Sequence, residues 1–348
     1  MENSSEKYCR SKKSADGYVK RAVAAFLFVV VLLLSVFVFG EHSFAFAYVD
    51  GECVYAGGYQ VGISVDIDGL LVESVTSVET DYGLAAVEGI EKGDIIKKVN
   101  GVAVDCFDDI TGALTDAAAE IELLRGDEYL KVTVTPVPEA YTGKPRLGVK
   151  LKDKIYGVGT VTFVDKNGNF VALGHEIYDG ETGVHVPFDG GSIHSCKVLG
   201  IKKGSKTEAG ALIATLVPEK IIGKLDCNND FGVAGTYTGK YDKSAKMPIA
   251  HRDEVKPGAA VVRVAVNGAI EEYDIEIIKA AKQTERKEKG LVFKVTDKRL
   301  LESTGGIVRG MSGSPIIQGG KIVAAVTHVF LNDHTKGYGV YADFLNFA

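Results

Sequence analysis

Two short runs in this chain carry residue types suited to nucleophilic chemistry: Leu173-Gly174-His175-Glu176 and Gly310-Met311-Ser312-Gly313-Ser314-Pro315. A serine between glycines sits on a sharp turn, and the glycines leave backbone N–H groups free to meet a developing oxyanion. A hydroxyl at neutral pH is a weak nucleophile and needs a base within hydrogen-bond reach, most often an imidazole. His175 follows the apolar run Phe170-Val171-Ala172-Leu173, so a strand end should hold it. Ser312 is the expected nucleophile, with the N–H groups of Gly310 and Ser312 as oxyanion donors and His175 as general base. Ser314, beside Pro315, is expected to support the turn. His328 lies inside the apolar run 324–330 and reads as structural; His334 falls in a polar turn.

Such a base needs a buried carboxylate to accept its Nδ1–H and fix its tautomer. Asp179, Asp189, Asp226, Asp230, Asp297 and Asp333 are all chemically eligible. Asp179 is close to His175 but could equally cap a turn, whereas Asp297 follows the apolar run 291–295 at a rigid strand end. His175, His185 and His194 lie nine or ten residues apart, which is no metal-ligand spacing, and no CxxC occurs. No metal and no other cofactor is expected. Cys53, Cys106, Cys196 and Cys227 could pair in three ways, and their spacing does not choose among them.

The elements that must position these residues are mostly strands. Hydrophobic residues make up 46% of the 348, as in a globular chain, and the length allows two domains. Lys7, Arg10, Lys12, Lys13, Lys20 and Arg21 against Glu2, Glu6 and Asp16 give the first 21 residues a net charge of +3. The total is −6, so the remainder carries −9. An acidic body argues against nucleic acid as a partner. No charged residue occurs in 22–40, a run long enough to approach the roughly 30 Å bilayer core. With the basic flank before it, the N-terminus should stay cytoplasmic and the body be exported. Ala45-Phe46-Ala47 would suit signal-peptide cleavage, but the apolar run is longer than the usual 7–15 or so residues, so a retained anchor is expected. The expected division is a basic tail (1–21), a transmembrane anchor (22–40), a linker (41–56), a first domain (57–137) and a second (138–348).

In the first domain Val61, Ile63, Val65 and Ile67 alternate with Gly62, Ser64, Asp66 and Asp68, the period of a half-buried strand. Asp108-Asp109 should cap a helix through about Leu123, followed by a strand from Tyr129 to Val137. The run Gly89-Ile90-Glu91-Lys92-Gly93-Asp94-Ile95-Ile96-Lys97-Lys98-Val99-Asn100-Gly101 resembles the signature of PDZ domains, which bind an extended peptide by strand addition. That resemblance places the peptide-holding loop at Gln60, Val61, Gly62 and Ile63, with a partner's peptide or the chain's own segment around 45–57 as occupant. Beyond Gly148 strand follows strand, with hairpin turns at Asn167-Gly168 and Asn267-Gly268, which suggests one or two β-barrels.

The chain resembles the stage IV sporulation protein B peptidases of spore-forming Firmicutes. The matching runs are Ala172-Leu173-Gly174-His175, Ile270-Glu271-Glu272-Tyr273-Asp274-Ile275-Glu276, Thr304 to Gln318 with Ser312 at its centre, and Ala325-Val326-Thr327-His328-Val329-Phe330. Lys203 to Gly210 departs from the turn expected there. The resemblance implies a mainly β fold: transmembrane helix, PDZ domain, then a chymotrypsin-like double β-barrel with a Ser/His/Asp triad. It also matches Asp297, fifteen residues before Ser312, to the family's acid. It implies a peptidase in the space between mother cell and forespore that cleaves itself and then a membrane-held regulator of an intramembrane protease complex, so activating a late sigma factor. Two other readings are a quality-control protease, in which PDZ usually follows the peptidase, and a catalytically idle PDZ module, which would be free to lose Ser312 and His175.

Overall fold

Residues 53–205 and 208–345 are described by a computed structural model, and the architecture is mainly β. The expected tail (1–21), anchor (22–40) and most of the linker lie outside the described residues. Among the described residues no helix is long and apolar enough to cross a membrane.

Gln60–Val75 is flanked on one side by Phe188–Lys202 and on the other by Val149–Val164. From there the pairing runs through Asn169–Ala172, Gly232–Tyr237 and Ala211–Asn229 back to Phe188–Lys202, so six antiparallel strands close into a ring. Its core holds Val61, Ile63, Val65, Ile67, Val161, Phe170, Leu173 and Ile193. A second closed barrel comprises Gly258–Val264, Glu271–Ala280, Leu291–Val295, Lys336–Tyr341, Lys321–Val329 and Pro315–Gln318. Both hairpins expected at Asn-Gly pairs are present, joining Val149–Val164 to Asn169–Ala172 and Gly258–Val264 to Glu271–Ala280.

A smaller body is inserted into the first barrel, between Gln60–Val75 and Val149–Val164. Its core gathers Leu70, Val72, Ile96, Val99, Ile110, Leu114, Ile121, Leu123 and Leu147. The strand Gln60–Val75 serves both cores with its two faces. Odd positions 61–67 and Leu71 face the barrel, and even positions 70 and 72 face the insert. Gly69, just before the shared stretch, takes φ 104, and a Cβ there would stand 2.6 Å from the Ile96 carbonyl oxygen.

Three expectations are corrected here. Gln60, Val61, Gly62 and Ile63 are not a peptide-binding loop. They lie in a strand hydrogen-bonded along both edges, with Val61 and Ile63 fully buried, so no edge is free for an added strand. The segment 53–56 is not a free linker either, because Cys53–Ala56 pairs with Val149–Val164 and Lys246–Pro248. The helix expected to reach Leu123 is only Phe107–Ala113, here called α1, and Ala119–Arg125 is a strand. Ala119, Ile121 and Leu123 are buried at period two between Glu120 and Glu122, and that alternation prevails over helix spacing. The four described cysteines are free thiols.

Candidate active site

His175 is delivered by a strained turn. The strand Asn169–Ala172 ends, and Leu173 takes φ 72 while the Gly174 N–H bonds back to the Ala172 carbonyl at 3.0 Å. This is a γ-turn of positive φ, a conformation that costs energy in a non-glycine residue and clusters at functional sites. Gly174 also has positive φ, and a Cβ there would meet the Thr327 methyl at 3.0 Å. The imidazole Nδ1 lies 2.8 Å from the Glu176 carbonyl oxygen. A carbonyl can only accept, so Nδ1 carries a proton, and it is Nε2 that bears the lone pair of the neutral ring. That is the tautomer a general base requires.

Ser312 stands on the loop before Pro315–Gln318, partly exposed, and its hydroxyl donates to the Thr327 carbonyl at 3.0 Å. The next residue, His328, packs its ring 5.4 Å from that of His175. Ser312 and His175 thus each lie against the Thr327-His328 stretch. Ser314 is fully buried and is closed to any substrate.

The loop's N–H groups are unevenly used. Those of Arg309, Met311, Gly313 and Ser314 donate to Gly210, Val308, Val326 and Met311 carbonyls. Among the described residues those of Gly310 and Ser312 donate to nothing. These are the two donors expected for an oxyanion. Strand Val149–Val164 holds the loop from the first barrel: Thr160 N–H bonds the Ser312 carbonyl at 2.9 Å, Thr160 Oγ1 the Gly310 carbonyl at 2.7 Å, and Thr162 Oγ1 the Gly313 carbonyl at 2.8 Å. Both threonines are fully buried.

Asp297 is not brought to His175. It caps the helix Lys298–Thr304 (α2), accepting the Arg299 N–H at 2.8 Å, and it pairs with the Arg299 guanidinium at 2.8 Å. The Arg299 Nε at 3.2 Å and the Asp274 N–H at 3.3 Å add two further bonds. The Arg299 side chain first, then the Arg299 and Asp274 N–H groups, outweigh burial and bring the carboxyl down to about 2. Asp179 is bound to Lys152 at 3.0 Å and to Thr182, and the Thr182 N–H and Lys152 outweigh burial to lower its pKa. Asp333 is lowered to about 2 by Thr335 and then Lys336. Among the described residues no carboxylate hydrogen-bonds the His175 ring, and no group of side chains could hold a metal.

Sequence reasoning missed the threonines and the proximity of His328. Two threonines inside the apolar run 158–164 were the available signal for the first. For the second there was none beyond the run Val326-Thr327-His328. Burial, the nearby His175 and then Lys289 lower the His328 pKa to about 4, so it is neutral at pH 7.

The sequence profile of the SpoIVB peptidase S55 family matches residues 143–345, more than half of the chain. The chain belongs to that family. It is a serine endopeptidase. The SpoIVB peptidase match spans the second barrel, the Ser312 loop and most of the first barrel. The solved inactive form of the Rv3671c protease is similar at 13% identity and a TM-score of 0.28, over 55% of this chain and 81% of that one. No curated protein matches the sequence.

Proposed function

We propose that Ser312 is the nucleophile of this endopeptidase and His175 its base, with the Gly310 and Ser312 N–H groups as oxyanion donors. The observation that carries this is the pair of unused N–H groups flanking a partly exposed serine, on a loop whose other N–H groups are all spent. Rotation of the Ser312 side chain away from Thr327 frees its proton for Nε2, which then returns it to the leaving amine. In the arrangement described, the Glu176 carbonyl steadies the imidazolium. Asp297, the acid that the resemblance implies, would have to leave Arg299 and the α2 cap to take that place. Ser312→Ala should leave a folded protein and lower peptide cleavage by on the order of 10⁶. Fluorophosphonate labelling of Ser312 in the parent protein and its loss in the variant check this; full activity in Ser312→Ala overturns it.

The same reading makes the enzyme a signalling peptidase, held by the apolar run 22–40 and exported into the space between forespore and mother cell. There it cleaves itself near its N-terminus and then a membrane-held regulator. The family match and the basic-then-apolar N-terminus support it. In a sporulating host, Ser312→Ala should abolish self-cleavage and late sigma-factor activation together, and retention of either counts against it.

The inserted body is, on this reading, a PDZ domain whose peptide site lies away from 60–63. A cleft of about 370 Å³ runs between α1 and 145–151, lined by Ile110, Leu114, Leu147, Val149 and Leu151. Val149 to Lys152 pairs along one edge only among the described residues, and Arg146 Nε is buried without a partner beside it. An unpaired edge next to a helix suits strand addition by a peptide with a free C-terminal carboxylate. Thr111→Trp, which fills the cleft, should weaken such a peptide at least about tenfold by fluorescence anisotropy; unchanged binding removes the cleft from the reading.

A further inference from the structure

Asn228 has no part in the chemistry above, yet both polar atoms of its amide are spent on a single residue. Its Oδ1 accepts the Ile177 N–H at 2.9 Å, and its Nδ2 donates to the Ile177 carbonyl at 2.9 Å. The Ile177 N–H and the Glu176 carbonyl belong to one planar peptide unit. In a trans unit the two point in opposite directions, so a partner that fixes the N–H also fixes where the carbonyl aims. That carbonyl is the group 2.8 Å from His175 Nδ1. We propose that Asn228 is a positioning residue for the base: it locks the Glu176–Ile177 peptide plane and thereby sets the tautomer and ring orientation of His175. This rests on the reading of His175 as base.

Two features support it. An acceptor on the N–H polarises the carbonyl of the same peptide, and chains of hydrogen bonds strengthen one another in a partly buried setting. Asn228 is also fixed relative to the His175 turn by backbone. It is the penultimate residue of the strand Ala211–Asn229 and pairs with Val233, and Asn229 tightens the turn that follows by accepting the Phe231 N–H. Gly232, at φ 121, approaches so closely that a Cβ would stand 2.3 Å from the Ala172 carbonyl oxygen and 2.7 Å from the Gly174 nitrogen. The hairpin tip and the histidine turn therefore move as one piece. The Glu176 side chain is engaged elsewhere, with His185 Nδ1 at 2.6 Å from its Oε2.

The test uses the full chain with Asn228→Ala and Asn228→Asp. Fluorophosphonate labelling of Ser312 is resolved into a maximal rate and a binding constant, and the histidine Nδ1–H resonances are recorded by NMR. Asn228→Ala should lower the maximal rate roughly 10- to 100-fold, with the binding constant within about twofold, and should shift or erase the His175 Nδ1–H signal. Asn228→Asp keeps the acceptor for the Ile177 N–H and should fall between the parent and Asn228→Ala in both readouts. Labelling within twofold of the parent in Asn228→Ala overturns the proposal. So does a slower rate with the His175 signal unmoved, which would leave Asn228 as a loop tie. If Asn228→Ala fails to fold, parent-like behaviour of Asn228→Asp in both readouts overturns it equally. If the parent protein itself does not label at Ser312, the peptidase reading fails, and the resonance alone still decides whether Asn228 sets the ring.

Discussion

The two barrels hold their halves of the site by opposite means. On the first, His175 is fixed locally: a positive-φ turn at Leu173 and Gly174 aims it, and the carbonyl of the adjacent Glu176 takes its Nδ1–H. On the second, Ser312 is fixed at a distance, because its loop hangs by three carbonyls from Thr160 and Thr162 of the other barrel. The hydrogen bonds that set the His175 ring are made within the first barrel, while the serine loop and Thr327 of the second pack on its turn at Leu173 and Gly174. Ser312 keeps its geometry only while the barrels stay in register.

Thr160→Val tests that asymmetry most strongly. It removes the hydroxyl from the Gly310 carbonyl and leaves that acceptor unpaired beside a buried methyl, at a cost of about 1–3 kcal/mol in stability. Gly310 is also one of the two proposed oxyanion donors, and loss of one such donor typically costs 10²–10³ in rate. Turnover should therefore fall by roughly 10- to 100-fold, since the backbone bond from Thr160 to Ser312 survives. The His175 Nδ1–H resonance should not move. A shift of that resonance in Thr160→Val would show that the two halves are not independently held.

What was legible in the sequence follows the same division between local and distant. Asn167-Gly168 and Asn267-Gly268 are turns written in two residues, and both hairpins form where they stand. The serine loop is a run of neighbours, and its glycines mark the positive φ values found at 310 and 313. The alternation from Val61 to Asp68 also announced a strand, which runs from Gln60 to Val75. The apolar even positions Leu70 and Val72 did not reveal, without the fold, that two cores share that strand. Partners across the chain left no mark of their own. Asn228 reads as a turn residue, and only the packing of Gly232 on the histidine turn brings it to Ile177. Asp297 at a strand end suited either a catalytic acid or a helix cap, because both need a carboxylate at the edge of a rigid element.

Asp297→Asn carries the smallest expected effect and the sharpest consequence for the comparison. The amide keeps an oxygen for the Arg299 N–H, so part of the cap survives, and the lost ion pair is with an exposed guanidinium. Stability should fall by about 0.5–1 kcal/mol at neutral pH, with turnover within tenfold of the parent. The pH dependence has a definite sign. The folded carboxyl is held at about 2, below its ordinary 3.8, so the unfolded chain takes up the proton first. The contribution of Asp297 is whole above pH 3.8 and drains away as pH falls towards 2. Urea midpoints at pH 5 and pH 2.5 should therefore separate the parent from the variant at the higher pH and bring them together at the lower. If turnover instead falls by roughly 10⁴ with an unchanged midpoint, as loss of a triad acid does, Asp297 replaces the Glu176 carbonyl during the reaction. The base would then depend on the second barrel as the nucleophile depends on the first.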